Sequence, residues 1–209
     1  DFAGHAFRDA LARAVARGVA VRVLIDDVGA RYTTPTMAGE LHRAGVPVAT
    51  FLPTRVPRLF QYANLRNHRK IMVVDGRLGF TGGMNIRAGH WRARQPADAL
   101  RCVHFRVEGP VVADMQQVFT TDWAFTTGER LTGDAWFPAL AACGTVAARG
   151  VPDGPDDDID NLPQLLHGAL AVATRRVRIA TPYFLPDDGL LRALQVAALR
   201  GVEVDVLLP

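Results

Sequence analysis

Two hydrophobic periods alternate along the chain and predict alternating helices and strands. Apolar residues such as Phe7, Leu11 and Val15 recur at the spacing of a helix face, whereas runs such as "VAVRVLID" alternate as strands do. The pattern predicts helices over 6–17, 36–44, 110–125, 162–174 and 188–199. It predicts strands over 19–26, 45–51, 69–75, 78–83, 102–109, 176–181 and 202–209. We therefore expect an α/β fold with a largely parallel or mixed sheet flanked by helices.

A change of composition in the second half of the chain predicts a division into two units. The segment "GVPDGPDDDIDN", over 150–161, is rich in glycine, proline and aspartate, which favour turns and linkers over regular elements. We expect a first unit over 1–150 and the beginning of a second unit over 151–209.

The two units share a short sequence pattern. Arg17-Gly18 and Arg200-Gly201 each follow a predicted helix and precede Val-x-Val-x-Val-Leu. Two interpretations stay open: a duplicated fold, and the chance similarity of helix–strand units that any α/β protein contains. Because the chain begins without a methionine and ends in the apolar run "VEVDVLLP", we expect a piece of a longer protein. Its second copy would be cut before a counterpart of the motif at 68–85.

The stretch "HRKIMVVDGRLGFTGGMN", over 68–85, concentrates the candidate chemistry. His68 and Lys70 are two residues apart at the beginning of a predicted strand, so their side chains share a face and can converge on one small anion such as a phosphate. Lysine supplies a compact positive charge, and histidine can attack phosphorus or transfer a proton. Asp75 follows at the far end of the strand, and a carboxylate near an imidazole orients it.

The second half of this stretch adds groups suited to holding a phosphate. Gly82 and Gly83 let the backbone approach a ligand closely, and the Asn85 amide can donate to a phosphate oxygen. Taken singly, a His-x-Lys pair is usually surface, an Asp-Gly pair a hairpin turn and a Gly-Gly pair a loop. The joint spacing His-x-Lys-x4-Asp-x6-Gly-Gly-x-Asn would arise by accident on the order of once in 10^5 sequences. The combination therefore indicates a phosphate site that needs neither a metal nor another cofactor, since the lysine supplies the positive charge.

With these six residues the chain resembles the phospholipase D superfamily, whose members share the HKD motif. Further segments resemble the bacterial cardiolipin synthases, among them "RGVAVRVLIDDVGA", "HFRVEGPVVADMQQVFTTDW" and "IATPYFLPDDGLLRALQVAALRGVEVDVLLP". The resemblance implies α/β/α lobes, each contributing one HKD motif to a shared site. It implies a phosphatidyltransferase that moves a phosphatidyl group to phosphatidylglycerol or a related alcohol through a phosphohistidine.

The resemblance also implies roles for individual residues. His68 would be the nucleophile or its acid/base partner, Lys70 would bind the phosphate, and Asp75 would orient and polarise a histidine. Gly82, Gly83 and Asn85 would complete the phosphate-binding set. The partners would be an anionic phospholipid and a second HKD motif, supplied by a missing C-terminal part or by a second subunit. The location would be membrane-associated, at the cytoplasmic side of the bacterial inner membrane.

Charge and hydropathy narrow these expectations only slightly. The formal net charge of +3 is compatible with anionic substrates and equally with an ordinary arginine-rich protein. No run of 18 apolar residues predicts a membrane span, and the helix-turn-helix, zinc-finger and RNA-binding signatures are missing, which disfavours a nucleic-acid partner. Two alternatives to the transferase stay open: a phospholipase D or nuclease that uses water as the acceptor, and a catalytically silent domain that binds anionic lipid.

Overall fold

The computed structural model of the protein describes residues 1–30, 34–53, 67–94, 97, 99–154 and 160–208. Contacts along the chain divide it into two compact units, Asp1–Gly150 and Val151–Pro209. Most of the loop that the prolines before the motif predict lies outside the described residues, as do 155–159 of the predicted linker.

The first unit begins with helices packed on a pair of parallel strands. In chain order these are α1 (Phe2–Ala16), β1 (Val23–Asp26), α2 (Asp27–Ala30), α3 (Met37–Arg43) and β2 (Val48–Phe51). β1 and β2 run parallel over their four residues. The buried side chains between them and the helices are Val21, Leu41 and Val46, which form the apolar core of this half of the unit.

The second half of the unit is an antiparallel sheet backed by a long helix. Its elements are β3 (Ile71–Val74), β4 (Leu78–Gly82), a short 3₁₀ helix (Ala88–His90), β5 (His104–Glu108) and α4 (Val111–Thr127). The sheet has the order β3-β4-β5. β4 lies in the centre and pairs through its backbone with β3 on one side and β5 on the other.

Helix α4 joins the two halves of the first unit, because it packs against β2 as well as β3, β4 and β5. It begins after Pro110, which needs no backbone partner there, and ends at Gly128, whose φ of 77° suits the residue that follows a helix. Met115 lies against β4 at Gly79, where a Cβ would be only 2.7 Å from the Met115 sulfur. The glycine thus lets the helix approach the sheet.

The second unit is a parallel pair of strands with two helices. Its elements are α5 (Asn161–Val172), β6 (Arg176–Ala180), α6 (Asp188–Leu199) and β7 (Glu203–Leu207). β6 and β7 pair in parallel over five residues. Leu194 and Ala197 on α6 are buried, so the apolar face of that helix covers the unit's small core.

The pattern repeated in the two units corresponds to the same helix ending. Gly18 and Gly201 both have a φ of 86°. The Val19 N–H donates to the Ala14 carbonyl at 3.1 Å, and the equivalent bond in the second unit, from Val202 to the Ala197 carbonyl, is also 3.1 Å. A glycine in the left-handed region reverses the chain after the helix and leads it into a strand.

The α/β fold class is confirmed, and the elements differ from expectation mainly at their ends. α1 begins earlier than predicted because the Asp1 carboxylate accepts a bond from the Gly4 N–H at 3.0 Å and caps the helix. β1 begins later, at Val23, because Val19 is used to close the end of α1. Helix α2 and the 3₁₀ helix were not predicted, since each is too short to show a period.

The expected sheet also differs in its connectivity. Parallel and antiparallel pairings both occur, but among the described residues they form three separate sheets rather than one. None of the helices in the described ranges has both the length and the apolar character that crossing a bilayer requires.

Candidate active site

His68 and Lys70 lie at the beginning of β3, where the chain enters the antiparallel sheet. The His68 side chain is exposed and Lys70 is half-buried. The Lys70 ammonium donates to the His68 backbone carbonyl at 2.7 Å. The positive charge is therefore held next to the backbone of the residue that carries the imidazole.

The glycine pair lies at the same end of the sheet. Ile71 pairs with Thr81, so the next residues in the direction of His68 are Lys70 on one strand and Gly82 on the other. A Cβ on Gly82, whose φ is 146°, would lie 2.5 Å from the Val103 carbonyl oxygen, so only glycine fits beside β5. The Gly83 N–H is already used, because it donates to that same carbonyl at 3.0 Å.

Asn85 follows the glycines in the segment between β4 and the 3₁₀ helix. It is exposed, and its backbone carbonyl accepts a bond from the Arg87 N–H at 2.9 Å. The short turn leaves the Asn85 side chain on the surface, where an amide can donate to a ligand oxygen.

Asp75 is placed away from the other motif residues. It is exposed and lies in the turn between β3 and β4, where Asp75 and Gly76 have φ values of 53° and 62°. The Arg77 N–H closes the turn by donating to the Val74 carbonyl at 3.0 Å. Asp75 and His68 lie beyond opposite ends of β3, whose four residues span about 13 Å. This separation disfavours a direct contact between the Asp75 carboxylate and the His68 imidazole, and the orientation of a histidine by Asp75 stays a prediction.

Two further histidines lie near the His68 end of the hairpin. His104 on β5 pairs with Gly82, and its Nδ1 would be 2.9 Å from a Cβ on that glycine. His90 in the 3₁₀ helix has its pKa lowered, first by burial and then by the positive charges of Arg87 and Lys70. The Nδ1 atoms of both histidines are buried without a hydrogen-bond partner among the described residues. The motif spacing missed them because neither has a lysine two residues later.

The segment after the motif is attached to α1 by aromatic and polar contacts. Trp91 lies against Phe2 with ring centroids 5.6 Å apart, and the Arg94 guanidinium lies 5.5 Å from the Trp91 ring centroid. The Asp1 carboxylate accepts a bond from the Ala88 N–H at 2.8 Å. These contacts fix the 3₁₀ helix, and with it His90.

This end of the sheet thus gathers an exposed imidazole, an ammonium group, a glycine pair and an amide side chain. A family model described as "Cardiolipin synthase, PLD-like domain" matches residues 2–123, more than half of the chain. The chain belongs to this family of phospholipase D-like domains.

Curated relatives carry the same family name. The chain is 37% identical over 211 residues to "Cardiolipin synthase 2" of Bacillus cereus, covering 100% of this chain and 41% of the relative. It is 36% identical to "Cardiolipin synthase" of Geobacillus thermodenitrificans and to "Cardiolipin synthase A" of Pseudomonas putida, again over 100% of this chain, and covers 42% and 43% of those relatives. The chain therefore spans about two fifths of the length of the curated relatives that it matches.

A solved structure shows the same fold at low sequence identity. The crystal structure of polyphosphate kinase from Porphyromonas gingivalis matches 96% of this chain and 30% of its own, with a TM-score of 0.54 and 15% identity. At this identity the similarity concerns the fold alone.

Proposed function

We propose that the protein containing this chain is a phosphatidyltransferase of the cardiolipin synthase type. It transfers a phosphatidyl group to the hydroxyl of phosphatidylglycerol or a related alcohol. The observation that carries the proposal is the bond of the Lys70 ammonium to the backbone carbonyl of His68 at 2.7 Å, at a residue whose side chain is exposed. The names of the relatives support the choice of a transferase over a hydrolase.

The proposed reaction has two displacements at phosphorus. In the first, an imidazole nitrogen of His68 attacks the phosphodiester, the bond to the leaving glycerol oxygen breaks, and a second histidine protonates that oxygen. In the second, this histidine removes the proton from the incoming alcohol, whose oxygen attacks phosphorus and releases His68. The Lys70 ammonium offsets the negative charge on the phosphate oxygens in both steps. The two histidines exchange these roles if His68 is the acid/base.

The remaining motif residues have supporting parts in this proposal. The backbone at Gly82 and Gly83 allows the phosphate to approach the sheet, and the Asn85 amide donates to one of its oxygens. For Asp75 we propose an indirect contribution to catalysis through the β3–β4 turn, because a direct contact with His68 would require the carboxylate to cross the length of the strand.

The second histidine belongs to a second HKD motif. We infer that residues 1–150 are one phospholipase D-like lobe and that 151–209 begin another, whose motif lies in a further part of the protein or in a second subunit. The substrate is an anionic phospholipid, so we expect the protein to act at a membrane surface, on the cytoplasmic side of the bacterial inner membrane.

The test uses the intact protein that contains this chain, incubated with phosphatidylglycerol vesicles and quenched in alkali. We expect cardiolipin as product and a phosphatidyl adduct, or its deacylated glycerophosphate, on the peptide that contains His68, measured by mass spectrometry. His68→Ala is expected to lose both, whereas His5→Ala, at an exposed position on α1, is expected to keep both.

The other outcomes separate the alternatives. Cardiolipin without an adduct on His68 would assign the nucleophile to the second motif and make His68 the acid/base. Phosphatidic acid without cardiolipin would indicate a hydrolase. Vesicle binding without any turnover, unchanged in His68→Ala, would contradict the transferase and support a silent lipid-binding domain.

A further inference from the structure

Both neighbours of His68 are held by carboxylates from distant parts of the chain. On one side, the Asn67 backbone N–H donates to Asp26 Oδ1 at 3.1 Å and its side-chain amide donates to Asp122 Oδ2 at 2.8 Å. On the other, the Arg69 guanidinium donates to both carboxylate oxygens of Asp122 at 2.8 Å. We name this set, Asp26, Asn67, Arg69 and Asp122, the carboxylate clamp.

The clamp contains an internal hydrogen bond and is attached to two elements of the fold. The Arg69 backbone N–H donates to the Asn67 side-chain oxygen at 3.2 Å, across His68. Asp26 ends β1, and its second oxygen accepts a bond from the Gly29 N–H at 2.7 Å. Asp122 lies on α4. The backbone at His68 is therefore attached to the end of one strand and to the helix that backs the sheet.

The clamp holds alternate residues of the segment that carries the reactive groups. Asn67 and Arg69 both bond to Asp122 on α4, and in an extended segment successive side chains point to opposite sides. We therefore expect the His68 and Lys70 side chains on the side away from Asp122, where the clamp would not occupy the space in which a phosphate would bind.

The contacts are of a strong kind. The Asp122 side chain is only 14% exposed and that of Arg69 27% exposed. Hydrogen bonds between ionised groups are stronger than neutral ones, and partial burial protects them from screening by salt. Removal of the Asp122 charge would leave the Arg69 guanidinium partly buried without this counter-charge.

We propose that Asp26 and Asp122 are positioning residues that hold the His68 imidazole in line with the phosphorus atom. The inference rests on the proposed function, since it assigns the clamp to the same reaction. In-line attack depends on the placement of the nucleophile, and a displacement of about 1 Å can cost on the order of 10²-fold in rate. The Asp75 carboxylate, which the motif spacing suggested for this task, lies at the other end of β3, whereas the clamp contacts both neighbours of His68.

The kinetic test compares Asp122→Asn with Asp134→Asn in the intact protein. Asp134 is an exposed carboxylate in the same unit, so its variant controls for the loss of one negative charge. We expect Asp122→Asn to lower kcat for cardiolipin formation about 10- to 100-fold while KM changes less than about threefold, and Asp122→Glu to recover part of the loss. Asp26→Asn should cost about 3- to 10-fold, because an amide oxygen still accepts a bond from the Asn67 N–H.

Amide hydrogen exchange provides a second measurement that does not depend on turnover. In Asp122→Asn we expect exchange of the segment 67–70 to become about tenfold faster while exchange in α1 stays unchanged. Faster exchange together with an unchanged kcat would overturn the positioning role, as would unchanged exchange in both the Asp26 and Asp122 variants. If Asp122→Asn unfolds the whole unit, Asp26→Asn decides by the same two criteria.

The unmodified protein separates this inference from the proposed function. If it forms no cardiolipin, the proposed function fails, and the exchange comparison still decides whether the clamp orders the His68 segment. If it forms cardiolipin and neither variant changes kcat, the proposed function stands and the clamp inference fails.

Discussion

At one end of the β3–β4 hairpin lie the exposed His68 and the half-buried Lys70, and the carboxylates of Asp26 on β1 and Asp122 on α4 hold Asn67 and Arg69, the two neighbours of His68. At the other end, Asp75 and Gly76 form a tight turn with positive φ angles, against the backbone of Trp136. One motif supplies both ends. Under the proposed function, the motif would combine reactive residues at one end with residues that shape the hairpin at the other.

The largest effect is expected from a substitution at the end of the hairpin that carries His68 and Lys70. Lys70→Met should lower kcat for cardiolipin formation by about 10² to 10³-fold, because the variant loses the positive charge that stabilises the phosphate in the transition state. Thermal unfolding should change little, since the side chain is half-buried and methionine keeps its length. A kinetic assay and a melting curve on the same preparation measure both. A variant with kcat within threefold of the unmodified protein would show that Lys70 does not bind the reacting phosphate.

The next largest effect is expected on stability, from a substitution in the turn between β3 and β4. Gly76→Ala should destabilise the first unit by about 2 kcal/mol, because alanine is strained at a φ of 62° and its Cβ would lie 2.7 Å from the Trp136 carbonyl oxygen. Denaturant unfolding measures the loss, and kcat per folded molecule should stay unchanged. Gly133→Ala is the matched control: its φ is 84°, but no described atom lies within 4 Å of the added Cβ. Equal losses in the two variants would show that the turn's packing on Trp136 is unimportant.

Two interpretations of Asp75 compete: a charged partner of a histidine, and a residue that forms the β3–β4 turn. We expect a smaller effect from a substitution that separates them. Asparagine adopts positive φ angles as readily as aspartate and forms the same kind of hairpin turn, but it carries no charge. We therefore expect Asp75→Asn to keep kcat within about threefold and to keep its stability. A loss of a hundredfold or more in a folded variant would restore Asp75 as a charged partner of a histidine and would reverse the comparison of the two ends.

The smallest expected effect is a change in the pKa of His90, which distinguishes substitutions at the two ends of the hairpin. The pKa of His90 is lowered by burial and by the charges of Arg87 and Lys70. We expect Lys70→Met to raise the His90 pKa and Asp75→Asn to leave it unchanged, because only Lys70 lies at that end of the hairpin. NMR titration of the His90 ring protons measures both, and equal shifts in the two variants would contradict the separation.

Much of this hairpin was predictable from the sequence, and the misses have a common cause. The alternation over 69–75 and the Asp-Gly pair predict two strands and their turn, and the structure contains both. Periodicity is a local signal, so it did not predict the two shortest helices. His90 and His104 were also passed over, because their approach to the site comes from the pairing of β5 and the anchoring of the 3₁₀ helix rather than from spacing.

The α/β class, the order of the main elements and the motif that marks the family are all readable from the amino-acid sequence, because they depend on residue types and spacings within a few turns of chain. The contacts by which Asp26 and Asp122 hold the neighbours of His68 emerge only from the tertiary structure. Those two carboxylates are 41 and 55 residues from Asn67 along the chain. Contacts between residues so far apart leave no local period, and they form only when β1, β3 and α4 pack together.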